Sequence, residues 1–195
     1  LYNKATIPDR KKNLKKYKKV LNSLLEGCKF LQKNKCKFIS IPCNTAHYWY
    51  SDLKNKVKIP ILNMPELVYK SASRSCKKQT KIGLLATDAT IKTKIYSNFF
   101  NKNFELCVPP KNIQINNVNK SIKLVKMGKT KEAEKALKPA VKYLLKINCK
   151  KIILGCTELP IAIFAYKSFK KAKLSKTFLD PNLILAEASM KYYKK

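Results

Sequence analysis

Arginine is nearly absent: Arg10 and Arg74 are the only two, although Lys and Arg together number 43 against 11 Asp and Glu, a formal charge of +32. Such a charge attracts polyanions without selectivity. A dedicated nucleic-acid reader would cluster arginines among aromatics, or carry a known module. Here lysines run the whole length, Asn is frequent beside them, and no such module is present. The charge reads as compositional drift, with no specific nucleic-acid partner expected. Histidine is scarcer, with His47 alone. One imidazole cannot build a His-rich metal site, so no metal is expected. There is no CxxC and no secretory signal among the seven cysteines, Cys28, Cys36, Cys43, Cys76, Cys107, Cys149 and Cys156. An odd set of unpaired spacings predicts reduced thiols and a cytoplasmic location. No apolar run approaches a membrane span, so no membrane association is expected.

What the chain does contain is 195 residues, 45% of them hydrophobic, enough for a core in one large domain or two small ones. The most informative stretch is Lys37 to Tyr50, KFISIPCNTAHYWY. Phe38 to Ile41 has strand length, Pro42 ends it, Cys43-Asn44-Thr45 follow, and Ala46 to Val57 reads as a helix. Three small polar residues thus sit where free N–H groups and the helix dipole favour anions, a thiolate included. The construction recurs: Lys151 to Leu154, Gly155, then Cys156-Thr157-Glu158 before a helical pattern from Leu159 to Phe169. A third junction joins the strand Lys81 to Ala86, through Thr87-Asp88-Ala89-Thr90, to a helix ending near Phe100.

Other segments fill in the alternation. Leu1 to Asn3 reads as the end of a strand, which suggests that the chain is a fragment or that its true start lies upstream. Ala5 to Arg10 reads as a loop and Lys11 to Asn34 as a helix with apolar residues at helical spacing. Val57 to Asn63 and Phe104 to Val108 read as strands. Helices are expected from Met64 to Cys76, Ile113 to Met127 with Gly128 as C-cap, Thr130 to Asn148, and Asn182 to Tyr193. Lys167 to Lys176 reads as a basic loop and Thr177 to Leu179 as a strand. Alternating strands and helices predict an α/β fold with parallel sheets and active residues beyond the strands' C-terminal ends, where Cys43, Thr87 and Cys156 all fall. A faint repeat, each copy built on a Cys-polar turn, suggests two pseudo-symmetric half-domains facing a cleft. Their expected extents are 1–62 plus 177–195, and 63–176.

Two thiols facing each other across a cleft suit disulfide exchange or two-base proton transfer at carbon. In the second, one thiolate removes a proton from one face and the other thiol delivers one to the opposite face. The centre inverts, with Asn44, Thr45, Thr157 and the helix N-termini supporting the carbanion. A redox pair is usually closely spaced, and this one is not. On the residues alone, Arg10 reads as a surface cation, with a carboxylate clamp as the alternative, and Lys126 as a solvated lysine. Thr87 and Thr90 read as N-caps or an anion site, and His47 as a helix histidine with a local hydrogen bond, polarisation of the thiol or a substrate being the alternative.

IPCNTAH around Cys43 and GCTEL around Cys156 resemble the cofactor-independent aspartate/glutamate racemase family, in its aspartate racemase branch. The likeness continues through IPDR at Ile7 to Arg10, IPIL at Ile59 to Leu62, GLLAT at Gly83 to Thr87, VKMG at Val125 to Gly128 and LDP at Leu179 to Pro181. Glutamate racemases proper usually read CTH where this chain reads CTE. The resemblance implies a homodimeric racemase of acidic amino acids that uses no pyridoxal phosphate or other cofactor. It implies Cys43 and Cys156 as the acid/base pair, and Asn44, Thr45 and Thr157 at the substrate's α-carboxylate. It implies Arg10 and Lys126 at the side-chain carboxylate, with Thr87 as a further contact. The family's opening strand and GGMGP-like turn have no counterpart here. The expected activity is interconversion of L- and D-aspartate, or of glutamate; the alternatives are a non-catalytic, truncated racemase-like remnant and a basic binding protein reusing the fold.

Overall fold

Two short apolar runs, Lys81–Ala86 (β1) and Lys151–Gly155 (β3), lie side by side in parallel register from Ile82↔Lys151 to Ala86↔Gly155. The computed structural model that shows this pairing describes residues 1–4, 6–10, 13–164 and 176–194. Glu105–Cys107 (β2) flanks β1 and Phe178–Leu179 (β4) flanks β3, giving the order β2-β1-β3-β4 with every pair parallel. The expected parallel α/β architecture is the one observed.

Both faces of this sheet are covered, which explains why β1 and β3 are continuously apolar. Period-two alternation sends Ile82, Leu84 and Ala86 to one face, with Val68, Tyr96 and Phe100. Leu85, Ile152 and Leu154 face the other, under Val118, Leu137, Val141 and Leu144. Helix α3 (Met64–Ser75) supplies the first cover; Thr130–Lys146, numbered α8 below, supplies most of the second.

In the first half, α1 (Tyr17–Lys33) packs Val20, Leu24 and Cys28 against Ile39, Trp49 and Leu53. Three expectations change here. Leu1 to Asn3 carries no strand; Tyr2 instead stacks on Phe30 at 4.9 Å. The first helix starts at Tyr17, not Lys11 (Lys11 and Lys12 lie outside the described residues): lysines crowd its positive dipole end, and its first turn has no acid to offset them. The strands expected at Phe38 to Ile41 and Val57 to Asn63 reduce to one parallel bridge, Ile39↔Ile61, closed by Ile39 N–H to Pro60 O at 2.8 Å and Leu62 N–H to Ile39 O at 2.9 Å. Pro42 and Pro60 have no N–H to extend it.

After Cys43 the chain first winds as a 3₁₀ helix, Asn44–Trp49, and continues as α2, Tyr50–Lys56. The helix expected after Thr87 is two, α4 (Asp88–Lys92) and α5 (Ser97–Phe100), interrupted at Lys94 with φ 54°. Thr93 Oγ1 donates to Thr90 O at 3.0 Å, a back-bond that competes with helix continuation. Lys111–Ile113 (α6) and Lys120–Lys126 (α7) are joined by a π-helical stretch, Gln114–Asn119, and Gly128 follows at φ 74°. Gln114 Nε2 donates to Ala86 O at 2.9 Å, tying this helix to the end of β1. α8 (Thr130–Lys146) leads into β3, and α9 (Leu159–Phe164) follows the second cysteine turn. The rest of the helix expected to Phe169, and the basic loop over 167–175, lie outside the described residues, as does Ala5. After β4, α10 (Pro181–Tyr193) packs Leu185 on Leu62 and Met64. Residues 177–194 therefore touch both halves: β4 is an edge of the four-stranded sheet, while α10 rests on Phe38 and Leu62.

Candidate active site

Each site segment is held by backbone contacts close to its functional side chain. Cys43 is extended at φ −151°, with its N–H on Ile41 O at 2.8 Å and its carbonyl accepting from Ala46 N–H at 3.2 Å. Cys156 N–H donates to Leu154 O at 2.8 Å. Gly155 lets the two strands close up beneath it: a Cβ there would sit 3.0 Å from Ala86 Cβ and 3.2 Å from Leu85 O.

These turns open on one cavity of about 390 Å³. It brings together every residue that the resemblance implied for the site: Arg10, Cys43, Asn44, Thr45, Thr87, Lys126, Cys156 and Thr157. Arg10 and Cys43 also line a second cavity of about 420 Å³ beside it, walled by Leu24, Cys28 and Ile39. Arg10 Nη1 reaches Pro8 O at 3.5 Å.

Buried hydroxyls join the two halves at the cavity floor. Thr45 Oγ1 and Thr90 Oγ1 are 2.9 Å apart, and Thr90 Oγ1 is 3.1 Å from Thr87 Oγ1. Thr87 also caps α4, accepting from Thr90 N–H at 3.2 Å. Asn44 Oδ1 accepts from the Tyr96 hydroxyl, whose pKa burial pushes well above its ordinary value, so it stays a neutral donor. Asn44 Nδ2 is buried and has no protein partner. A buried amide donor at the wall of a polar cavity is an acceptor site in waiting.

His47 is not on the cavity wall. It is buried, with Nδ1 donating to Cys43 O at 3.0 Å and Nε2 accepting from Met64 N–H at 3.1 Å, which assigns the neutral Nδ1–H tautomer. The local hydrogen bond expected of it is thus present. Burial pushes the imidazole's pKa below its ordinary value, against a smaller opposite pull from backbone hydrogen bonds. The unfolded state then binds the proton more readily, so this contribution to stability is complete above about pH 6.5 and is lost as pH falls toward the folded pKa. In urea melts from pH 7.5 to 5, His47→Gln is expected to lack that part of the wild-type slope.

Glu158 was legible in the sequence only as the E of CTE, and the structure makes it central. Its Oε2 accepts from Cys156 Sγ at 2.9 Å and from Thr157 Oγ1 at 3.0 Å, and its Oε1 lies 3.2 Å from Lys126 Nζ. Burial pushes its carboxyl pKa up, but the Cys156 and Thr157 hydrogen bonds, a backbone N–H and the Lys126 charge together hold it below the ordinary value. An acid two positions after a thiol at a helix start was the available signal. Asp9 is a second acid on the wall that the sequence reading passed over. Cys28 and Cys149 are buried packing thiols, which burial pushes up to about 11 and about 12. Among the described residues no group of three or more His, Cys, Asp or Glu could hold a metal ion, and no helix is long and apolar enough to cross a membrane.

Fold and cavity together define a parallel α/β protein with a polar cleft at its strand-to-helix turns and a thiol on each of two such turns. The model of the Asp/Glu/Hydantoin racemase family matches residues 1–189, and the chain belongs to that family. Its structure superposes on an aspartate racemase from Picrophilus torridus with a TM-score of 0.80 and 29% identity, covering 98% of this chain and 77% of that one. It superposes on glutamate racemase isoform RacE1 from Bacillus anthracis with a TM-score of 0.63, over 91% of this chain and 65% of that one; at 21% identity this likeness is one of fold. The broad specificity amino-acid racemase RacX of Bacillus subtilis is 27% identical over 137 residues, 70% of this chain and 59% of RacX. Amino-acid racemisation is the class of reaction that this membership supports.

Proposed function

We propose that this chain interconverts L- and D-aspartate, with glutamate as the second candidate, by two-base proton transfer between Cys43 and Cys156 and without a cofactor. The observation that carries the reading is that both thiols open on the same cavity, between polar groups suited to an amino acid. In this reading Asn44, Thr45 and Thr157 hold the α-carboxylate, and the partnerless Asn44 Nδ2 supplies one donor. Thr87, linked to Thr45 through Thr90, keeps that corner in register. Arg10 and Lys126 hold the side-chain carboxylate. One thiolate takes the α-proton, the electron pair stays at carbon, and the other thiol gives its proton to the opposite face.

A division into two halves, 1–62 and 63–176, with 177–195 contributing β4 to the sheet of the second and α10 to the packing of the first, belongs to this proposal, as do a homodimer and a cytoplasmic location. All seven cysteines are free thiols, as acid–base work by sulfur needs. The test is α-proton exchange and loss of optical activity with D- and L-aspartate in D₂O. Exchange with racemisation of both enantiomers is expected; no exchange would leave a non-catalytic member of the family. Arg10→Ala is expected to lower kcat/KM for aspartate by about 10–100-fold, the size of one charge-assisted hydrogen-bond pair, and to affect alanine much less.

A further inference from the structure

Lys126 already has a carboxylate in this structure, and it belongs to the protein. Glu158 Oε1 is 3.2 Å from Lys126 Nζ while its other oxygen receives the Cys156 thiol and the Thr157 hydroxyl. The glutamate is 17% exposed and the lysine 52% exposed, so the acid is the enclosed partner and the cation the one open to the cavity and solvent. The cation and the thiol assigned to the substrate are thus bridged by one internal acid.

We propose that Glu158 is a positioning and specificity-determining residue: it stands in on Lys126 for the side-chain carboxylate of an acidic substrate, which must displace it to bind. This rests on the proposed racemase site, since it takes Lys126 as the distal-carboxylate anchor. Three consequences follow from charge alone. Without a substrate, the ionised Glu158 keeps the proton on Cys156, because a carboxylate accepting an S–H bond favours the thiol. An incoming carboxylate takes Lys126 and removes one of the groups that keep Glu158 ionised. Burial is then offset by fewer groups, the carboxyl pKa rises from its lowered position, and the bound state holds more proton on Glu158 than the free state. A neutral amino acid has no such group, so it leaves the Lys126–Glu158 pair closed. The other charged groups on this wall are Arg10, which in the proposed site receives the same carboxylate, and Asp9.

Calorimetry tests this by a readout other than activity, since interconversion of enantiomers has no net proton change. L-Aspartate is titrated into the full chain at about pH 5.5, where its side chain is ionised, in buffers of different ionisation enthalpy. Wild type is expected to take up protons on binding aspartate and none on binding L-alanine. Glu158→Gln, which keeps the shape and loses the charge, is expected to bind aspartate about fivefold tighter, the size of one partly exposed ion pair, with no uptake. Aspartate binding by wild type without proton uptake would overturn the proposal. So would unchanged affinity in Glu158→Gln, or the absence of aspartate binding to either protein. Binding with uptake but no α-proton exchange would retain this gate and remove the racemase reading; exchange without uptake would do the reverse.

Discussion

Cys43→Ala and Cys156→Ala should each lower aspartate racemisation by about 10²–10⁴-fold, the range that a positioned general acid or base contributes. The two losses should not add, because inversion needs both groups in the same turnover. A two-base mechanism makes a sharper prediction than loss of rate. A chain with one thiol can still remove the proton of the enantiomer that faces it and return a solvent-derived proton to the same side. Each single variant should therefore exchange the α-proton of one enantiomer with retention, and the two variants should prefer opposite enantiomers. Chiral chromatography with mass detection in D₂O reads both quantities. Equal exchange of both enantiomers by either variant would mean that a single base serves both faces.

Trp49→Ala is expected to cost about 3–5 kcal/mol, the range for emptying a large buried aromatic site. Trp49 is fully buried, packs with Val20, Leu24 and Leu53, and donates from Nε1 to Tyr17 O at 3.1 Å. It closes the 3₁₀ turn that begins at Asn44 and Thr45, so its packing and the site share one short element. The effect is large because the first half has little else: among the described residues its strand pairing is the single bridge Ile39↔Ile61. Urea unfolding followed by circular dichroism is the measurement, since the chain's one tryptophan is the residue removed. A change under about 1 kcal/mol would show that the turn is held by something other than this core.

How much could be read from the residues differed by element. β1, β3 and α8 were plain because a buried parallel strand is a continuous apolar run and a long amphipathic helix repeats its face. The first helix was placed too early, since lysine has good helix propensity but its charge opposes the dipole at an uncapped start. The strands around Ile39 and Ile61 were overestimated because pattern does not report how many neighbours a strand has. In the site, Cys43 and Cys156 stood out through a repeated local construction. Arg10 and Lys126 did not: a lysine among so many has no local mark, and only the likeness to a family raised them.

The sequence by itself determined which residues could do chemistry, because the order of strand, small polar turn and helix is a local property of neighbouring side chains. It also carried the family relationship, through short motifs in a fixed order. Only the tertiary structure decided that these turns share one cavity, that His47 is a clamp away from its wall, and that Glu158 bridges Lys126 and Cys156. Those facts depend on contacts between residues far apart in the chain, and on burial, which decides what each polar group must pair with and which charge survives.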